Sequence, residues 1–235
     1  SLVLCESYRD WYIEDKNDLL KSYLFHEGIK FVDNVEFYES IKLKILNASH
    51  SALAYLGLLL GYRYVHEVIA DKLCFNFINN YLDREVIPTI KQQDNFDLTQ
   101  YKKNVLKRFR NHYLNHKLEQ IGIDGSLKIP IRIIDTYKNK NKNTEYVYTY
   151  TIIACWILFL KKNNINKFNY EVSDPICDYL FQIVNNEKNA IEKIIDLKNI
   201  FDLSEEYNKN FKNNVTNHVY SIENLNLKNF LSQLD

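Results

Sequence analysis

A lysine, an asparagine and a histidine stand at positions 42, 47 and 50, where an apolar run that continues to Tyr62 begins. An amine can take or give a proton. A carboxamide can donate to an oxygen that gains negative charge, and a neutral imidazole can donate and accept at once. On an α-helix each residue advances by about 100°, which places Asn47 roughly 140° and His50 roughly 80° around from Lys42. The three then share one arc along roughly 12 Å of helix axis, suited to a polyhydroxylated ligand. The plainer alternative has Lys42 snorkelling, Asn47 bonding a neighbouring turn and His50 as a satisfied core histidine. Spacing alone leans toward that alternative.

A second group lies in "QIGIDGSLK", Gln120 to Lys128. Asp124-Gly125 reads as a turn or helix boundary with Ser126 as a cap, which makes Lys128 by itself a surface lysine in a first helical turn. Metal sites have weaker support. His112 and His116 are four residues apart but lack an evident further ligand, and His66-Glu67 lacks the second histidine of a zinc-protease helix. No serine or cysteine stands in a nucleophile setting.

The elements that must carry these residues read as helices. Strand-like patterns occur only near the start, at 2–13 and 28–35. Helices are expected near 37–62, 64–82, 97–112, 126–139, 145–162, 174–184, 187–195, 204–212 and 221–233, with Ser173 or Asp174 capping and Pro175 in the first turn of the sixth. Pro88 marks a loop and Pro130 a helix entry. The 235 residues carry a formal net charge of +0, which offers no global field for nucleic acid or an anionic membrane. No uninterrupted apolar run reaches the length of a membrane span. Cys5, Cys74, Cys155 and Cys177 show no paired spacing and fit reduced thiols of a cytoplasmic protein. The five glycines form no phosphate-binding loop, and the lack of methionine suggests a piece of a longer chain.

The stretch "YESIKLKILNASHSALAYLGLLLGY" resembles the signature of the polyol-specific long-chain dehydrogenases, the mannitol dehydrogenase and fructuronate reductase family, approximately K-x-x-x-x-N-x-x-H before an apolar helix. "CESYRDWYIED", "GIKFVDNVEFYE", "VHEVIAD", "EVIPTI" and "LKRFRNHYLNHKLEQIGIDGSLKIPIR" are similar to family segments in the same order, and "VSDP" and "IFDL" resemble its tail. The opening is where the family has "EPF" and this chain has Glu6-Ser7-Tyr8.

The resemblance implies an all-α C-terminal domain like that of 6-phosphogluconate dehydrogenase, with one or two short strands near the N-terminus. Residues 37–235 would be the helical substrate-binding and catalytic domain, and 1–36 a junction from an N-terminal Rossmann domain. That absent domain would bind the NAD or NADP, and the chain would be inactive without it. The implied activity is a metal-independent, NAD(P)-dependent interconversion of a secondary alcohol and a ketone. By resemblance, Lys42 is the general acid/base, its pKa lowered by burial against Leu43, Leu46 and the closing domain. Asn47 polarises the reacting oxygen, while His50, Lys128 and Gln120 bind substrate. Mannitol-type members tend to have arginine where Gln120 stands. With His116-Lys117 before it, the pattern looks closer to fructuronate reductase, although Leu118 replaces the usual threonine. The pair D-fructuronate and D-mannonate is therefore expected first, mannitol and fructose second, and a stand-alone helical binding domain without redox activity is the alternative of another class.

Overall fold

A computed structural model describes residues 10–16, 18–24, 26–93, 96–139, 144–163, 172–186 and 188–234. Cys5, Glu6-Ser7-Tyr8, the first part of the expected 2–13 strand and most of the lysine–asparagine run at 138–143 lie outside them.

Strand β1 (Trp11–Glu14) pairs in parallel with β2 (Ile29–Val32), and α1 (Asp18–Tyr23) lies between them in the chain. A two-stranded ribbon is marginal alone. Here it is anchored by Tyr12, whose ring stacks on Tyr38 at 4.0 Å. Tyr38 belongs to α2 (Val35–Ile41), which Asn34 caps by accepting from the Phe37 backbone N–H.

From Val35 the helix runs unbroken to Leu60, but its middle is widened. Lys42–Asn47 forms a π-helical turn, and the Ala48 N–H reaches back five residues to the Leu43 carbonyl before α3 (Ala48–Leu60) resumes normal winding. Two further helices do the same. Helix α5 (Lys72–Tyr81) passes into a π turn at Leu82–Val86, with the Ile87 N–H on the Leu82 carbonyl. Helix α8 (Gly125–Ile129) passes into one at Pro130–Ile134 and continues as α9 (Asp135–Lys138). Pro130 therefore sits inside a continuous helix and does not open one. Its missing N–H removes one α bond, and the Asp135 N–H instead reaches back to the Pro130 carbonyl.

Two helices are buried nearly all round. One is α3 and the other α10 (Val147–Asn163), which is buried at every position from Tyr148 to Leu160. Both read as apolar runs without a polar face because neither has a solvent side. By length and composition the 35–60 helix could cross a membrane, yet most of its apolar stretch lies inside the fold. Around the pair pack α4 (Val65–Ala70), α6 (Leu98–Phe109), α7 (Leu118–Ile121), α11 (Cys177–Asn186), α12 (Ala190–Ile195), α13 (Glu205–Leu225) and α14 (Leu227–Leu231). Helix α13 runs through the helix expected at 204–212 into the start of the one expected at 221–233, whose remainder forms α14. Phe211, Val215, Val219 and Ile222 form one buried stripe on it, and the break falls at Asn226, whose φ is +61°. Pro175 precedes α11, and Asp174 turns the chain there by accepting from the Ile176 N–H.

The start of α10 is held by a buried acid. Glu85, in the second π turn, accepts from the Tyr148 N–H, the Thr149 N–H (both 2.8 Å) and the Thr149 hydroxyl (2.6 Å). These are helix N-terminal donors with no partner inside their own helix. Burial pushes the Glu85 carboxyl up to about 7 against those three donors. Glu85→Ala should leave two buried N–H groups unpaired. At roughly 1–3 kcal/mol each, the melting temperature should fall by on the order of 5–10 °C. An unfolded glutamate titrates near its ordinary value of about 4.3, so between there and about 7 the folded chain holds the extra proton. This contribution to stability is present at low pH and is lost as pH rises through that window. Urea melts of wild type and Glu85→Ala should therefore show a gap that narrows from pH 5 to pH 7.5.

Candidate active site

The widened turn changes the geometry expected around Lys42. In a π turn the bond spans five residues, so a residue and its fifth successor lie closer in azimuth than α winding would place them. Winding of this kind brings Asn47, about one turn along, nearer the azimuth of Lys42 than the 140° of α winding. His50 follows three residues later on α3. The polar arc is narrower than ordinary α-helical winding would make it, and Lys44 and Ile45 are turned into the core.

Lys42 is exposed at the edge of a cleft of about 440 Å³, walled by Trp11, Tyr12, Tyr38, Leu46 and Arg108 among others. Leu43 and Leu46 are only half-buried. The burial expected for the lysine is therefore not supplied by these two leucines, and cover must come from elsewhere.

Asn47 is half-buried, and its backbone carbonyl accepts from Arg132 Nη1 at 3.4 Å. The same Nη1 donates to Ser51 Oγ at 3.1 Å. Arg132 comes from the third π turn, which packs against the first. A second tie joins the two helices, with buried Lys44 Nζ 3.0 Å from Asp135.

His50 packs its ring on Phe109 at 4.5 Å, with His116 6.1 Å away. Burial, and after it the charges of His116, Arg132 and Arg108, push its pKa down to about 3. His50 is therefore neutral near pH 7. Its Nε2 is buried, with no hydrogen-bond partner among the described residues.

The second motif folds differently from its expected local chemistry. Asp124 adopts φ +54°, and its carbonyl accepts from Leu127 and Lys128. Ser126 is not the cap. Its N–H and hydroxyl both donate to Asp174, at 2.8 and 2.6 Å, so the start of α8 is capped by a residue 48 positions onward. Gly125 is required by close approach, since a Cβ there would overlap the Trp156 indole nitrogen and sit 2.9 Å from Tyr55 Oη.

Lys128 is half-buried, donates to the Ile121 carbonyl at 3.3 Å, and stands 4.0 Å from Asp124. Burial and the neighbouring Arg132 lower its pKa, whereas Asp124 and Asp174 oppose them. Gln120 is exposed on α7, and Lys117 pairs with Glu119 at 3.4 Å. Lys42, Asn47 and His50 thus share one helix, with Lys128 brought near by way of Arg132. Gln120 sits on a different helix, α7. Arg132 was missed in the sequence because it reads as one more basic residue. The available hint was its spacing, four residues beyond Lys128.

Residues 34–223 match the mannitol dehydrogenase C-terminal domain family. This chain belongs to that family. The mannitol 2-dehydrogenase of Pseudomonas fluorescens, solved as a ternary complex with NAD and D-mannitol, aligns with a TM-score of 0.85 and 29% identity, covering 96% of this chain and 46% of that one. A mannitol 2-dehydrogenase of Phaeosphaeria nodorum is 31% identical over 228 residues, 94% of this chain and 39% of its own length. The D-arabinitol 4-dehydrogenase of Klebsiella pneumoniae is 30% identical over 177 residues, 75% of this chain and 39% of its own length. The chain spans less than half the length of these relatives. The expected mostly helical architecture of the family domain is the one observed.

A neutral His50 has a measurable consequence. Its imidazole resonances should not titrate between pH 5 and 8, the range in which an ordinary histidine changes charge. Because its folded pKa is depressed, the stability associated with its neutral form is complete above about pH 6.5. That stability is lost progressively as pH falls toward about 3. Two-dimensional NMR of the histidine side chains across this range checks both statements.

Proposed function

We propose that this chain is the substrate-binding half of an NAD-dependent polyol dehydrogenase that interconverts a secondary alcohol and a ketone. In this reading residues 37–235 are the catalytic domain and 1–36 the junction to a cofactor-binding half. The observation that supports the reading is the π turn, which presents the Lys42 amine at an aromatic-walled cleft and carries Asn47 at its other end.

The cleft fits one part of a nicotinamide cofactor. Trp11, Tyr12 and Tyr38 can border a planar ring, but among the described residues no glycine-rich turn faces it to hold a pyrophosphate. The phosphates would be bound by the other half. A nicotinamide bound beside Trp11, Tyr12 and Tyr38 would supply the hydride acceptor for oxidation and the hydride donor for reduction.

Lys42 takes the hydroxyl proton in oxidation and gives it back in reduction. Lys42 is exposed in this chain, so the cofactor-binding half and the substrate would have to supply the cover that favours its neutral form. Asn47 donates from its side-chain amide to the oxygen as charge develops. Neutral His50 can donate and accept at a substrate hydroxyl once the substrate is seated. The buried Cys74 thiol suits a reducing, cytoplasmic setting.

A neutral polyol of the mannitol type is the leading substrate, supported by the relatives and by Lys128 being partly satisfied by Ile121 and Asp124. A hexuronate is the second reading. It is favoured by the positive surroundings of Lys128 and Arg132, and by Gln120 standing where mannitol-type members tend to have arginine.

In the full-length protein Lys42→Ala should lower turnover by about 10²–10⁴-fold, with partial rescue by small primary amines. Near-normal turnover would show that Lys42 is only a solvated helix residue. The substrate class is checked by kcat/KM for fructose and fructuronate in wild type and Lys128→Ala. A polyol enzyme prefers fructose and loses little selectivity on mutation. A uronate enzyme prefers fructuronate and loses roughly ten- to a hundredfold on that substrate alone.

A further inference from the structure

The excess of positive charge beside His50 includes one group with no obvious structural return. Arg132 is half-buried, its Nε is buried without a hydrogen-bond partner, and among the described residues no carboxylate forms an ion pair with it. Burial lowers its pKa, a sign that the surroundings oppose the charge. Desolvating a guanidinium costs free energy that two bonds to neutral oxygens recover only in part. An apolar side chain of similar length would fill the same space more cheaply.

The two bonds it makes fall at one place, the exit of the first π turn. Nη1 holds the Asn47 carbonyl at 3.4 Å and the Ser51 hydroxyl at 3.1 Å. A π turn is a strained alternative to α winding, and its extra residue can be expelled toward either end of the helix. If the register relaxed, the Asn47 side chain would swing away from the azimuth of Lys42. Lys44–Asp135 fixes the middle of the turn. Arg132 fixes its end.

We propose that Arg132 is a positioning residue for the reaction, holding the widened turn so that the Asn47 carboxamide and the Lys42 amine meet the same substrate oxygen. This rests on the roles given above to Lys42 and Asn47. Arg132 touches neither substrate nor cofactor in this account and acts through Asn47.

The test is a double-mutant cycle in the full-length protein, with Arg132→Met, Asn47→Ala and the pair, read by kcat, KM and thermal melting. Arg132→Met should retain the wild-type melting temperature or exceed it. It should lower kcat by about 10- to 100-fold, the scale of a misplaced reacting group, with KM changed less than about threefold. In the Asn47→Ala background the same change should cost less than about threefold, because the residue it positions is gone. Arg132→Lys should recover part of kcat. If Arg132→Met proves unstable, Arg132→Gln enters the same cycle. Full additivity, or wild-type kcat in Arg132→Met while Lys42→Ala and Asn47→Ala are impaired, overturns the proposal and leaves the catalytic reading standing. Unimpaired Lys42→Ala and Asn47→Ala overturn both.

Discussion

A helix buried on every side has to satisfy each backbone carbonyl within itself, because no water reaches it. The 35–60 helix carries one residue more than regular winding accommodates between its partly exposed start and its buried end, and it absorbs that residue as a π turn at Lys42–Asn47. Everything at the candidate site follows from where the surplus is stored. Lys42 stays at the cleft, Lys44 turns inward to Asp135, and Asn47 lies about one turn along from Lys42. The turns at Leu82–Val86 and Pro130–Ile134 lie against the same region, so three helices are widened where they meet.

The helices were largely legible because their apolar positions recur at helical spacing, although the single helix expected at 64–82 is broken at Asp71, which caps α5. The π turns were not, since nothing in "KLKILN" differs from α-helical sequence. Only Pro130 marks one of them, and it reads as readily as a helix start. The polar run within Glu205–Leu225 hid a single long helix, because its asparagines suggest breaks while the Phe211–Ile222 stripe holds it against the core. Asp174 capping α8 is a contact across 48 residues, which no local pattern reveals.

The site's electrostatics were legible in kind but not in sign. His50 reads as a histidine able to donate or accept. Its neutrality comes from Phe109 on one face and from cations drawn from separate helices, Arg108 on α6 and Arg132 near α8. Glu85 shows the opposite device, an acid buried among donors at a helix start. Both groups depart from their ordinary titration because the fold removes water, and each is steadied by partners remote in sequence.

The close fit of Gly125 against Trp156 also supplies a natural optical probe. The chain has two tryptophans, and they report on different places. Trp156 is buried in α10, touching the start of the helix that carries Lys128 and Arg132, whereas Trp11 is exposed on the rim of the cleft beside Lys42. Their emission therefore separates into a blue component from the interior and a red component from the rim. A molecule entering the cleft quenches the second alone, and a disturbance at the start of α8 moves the first.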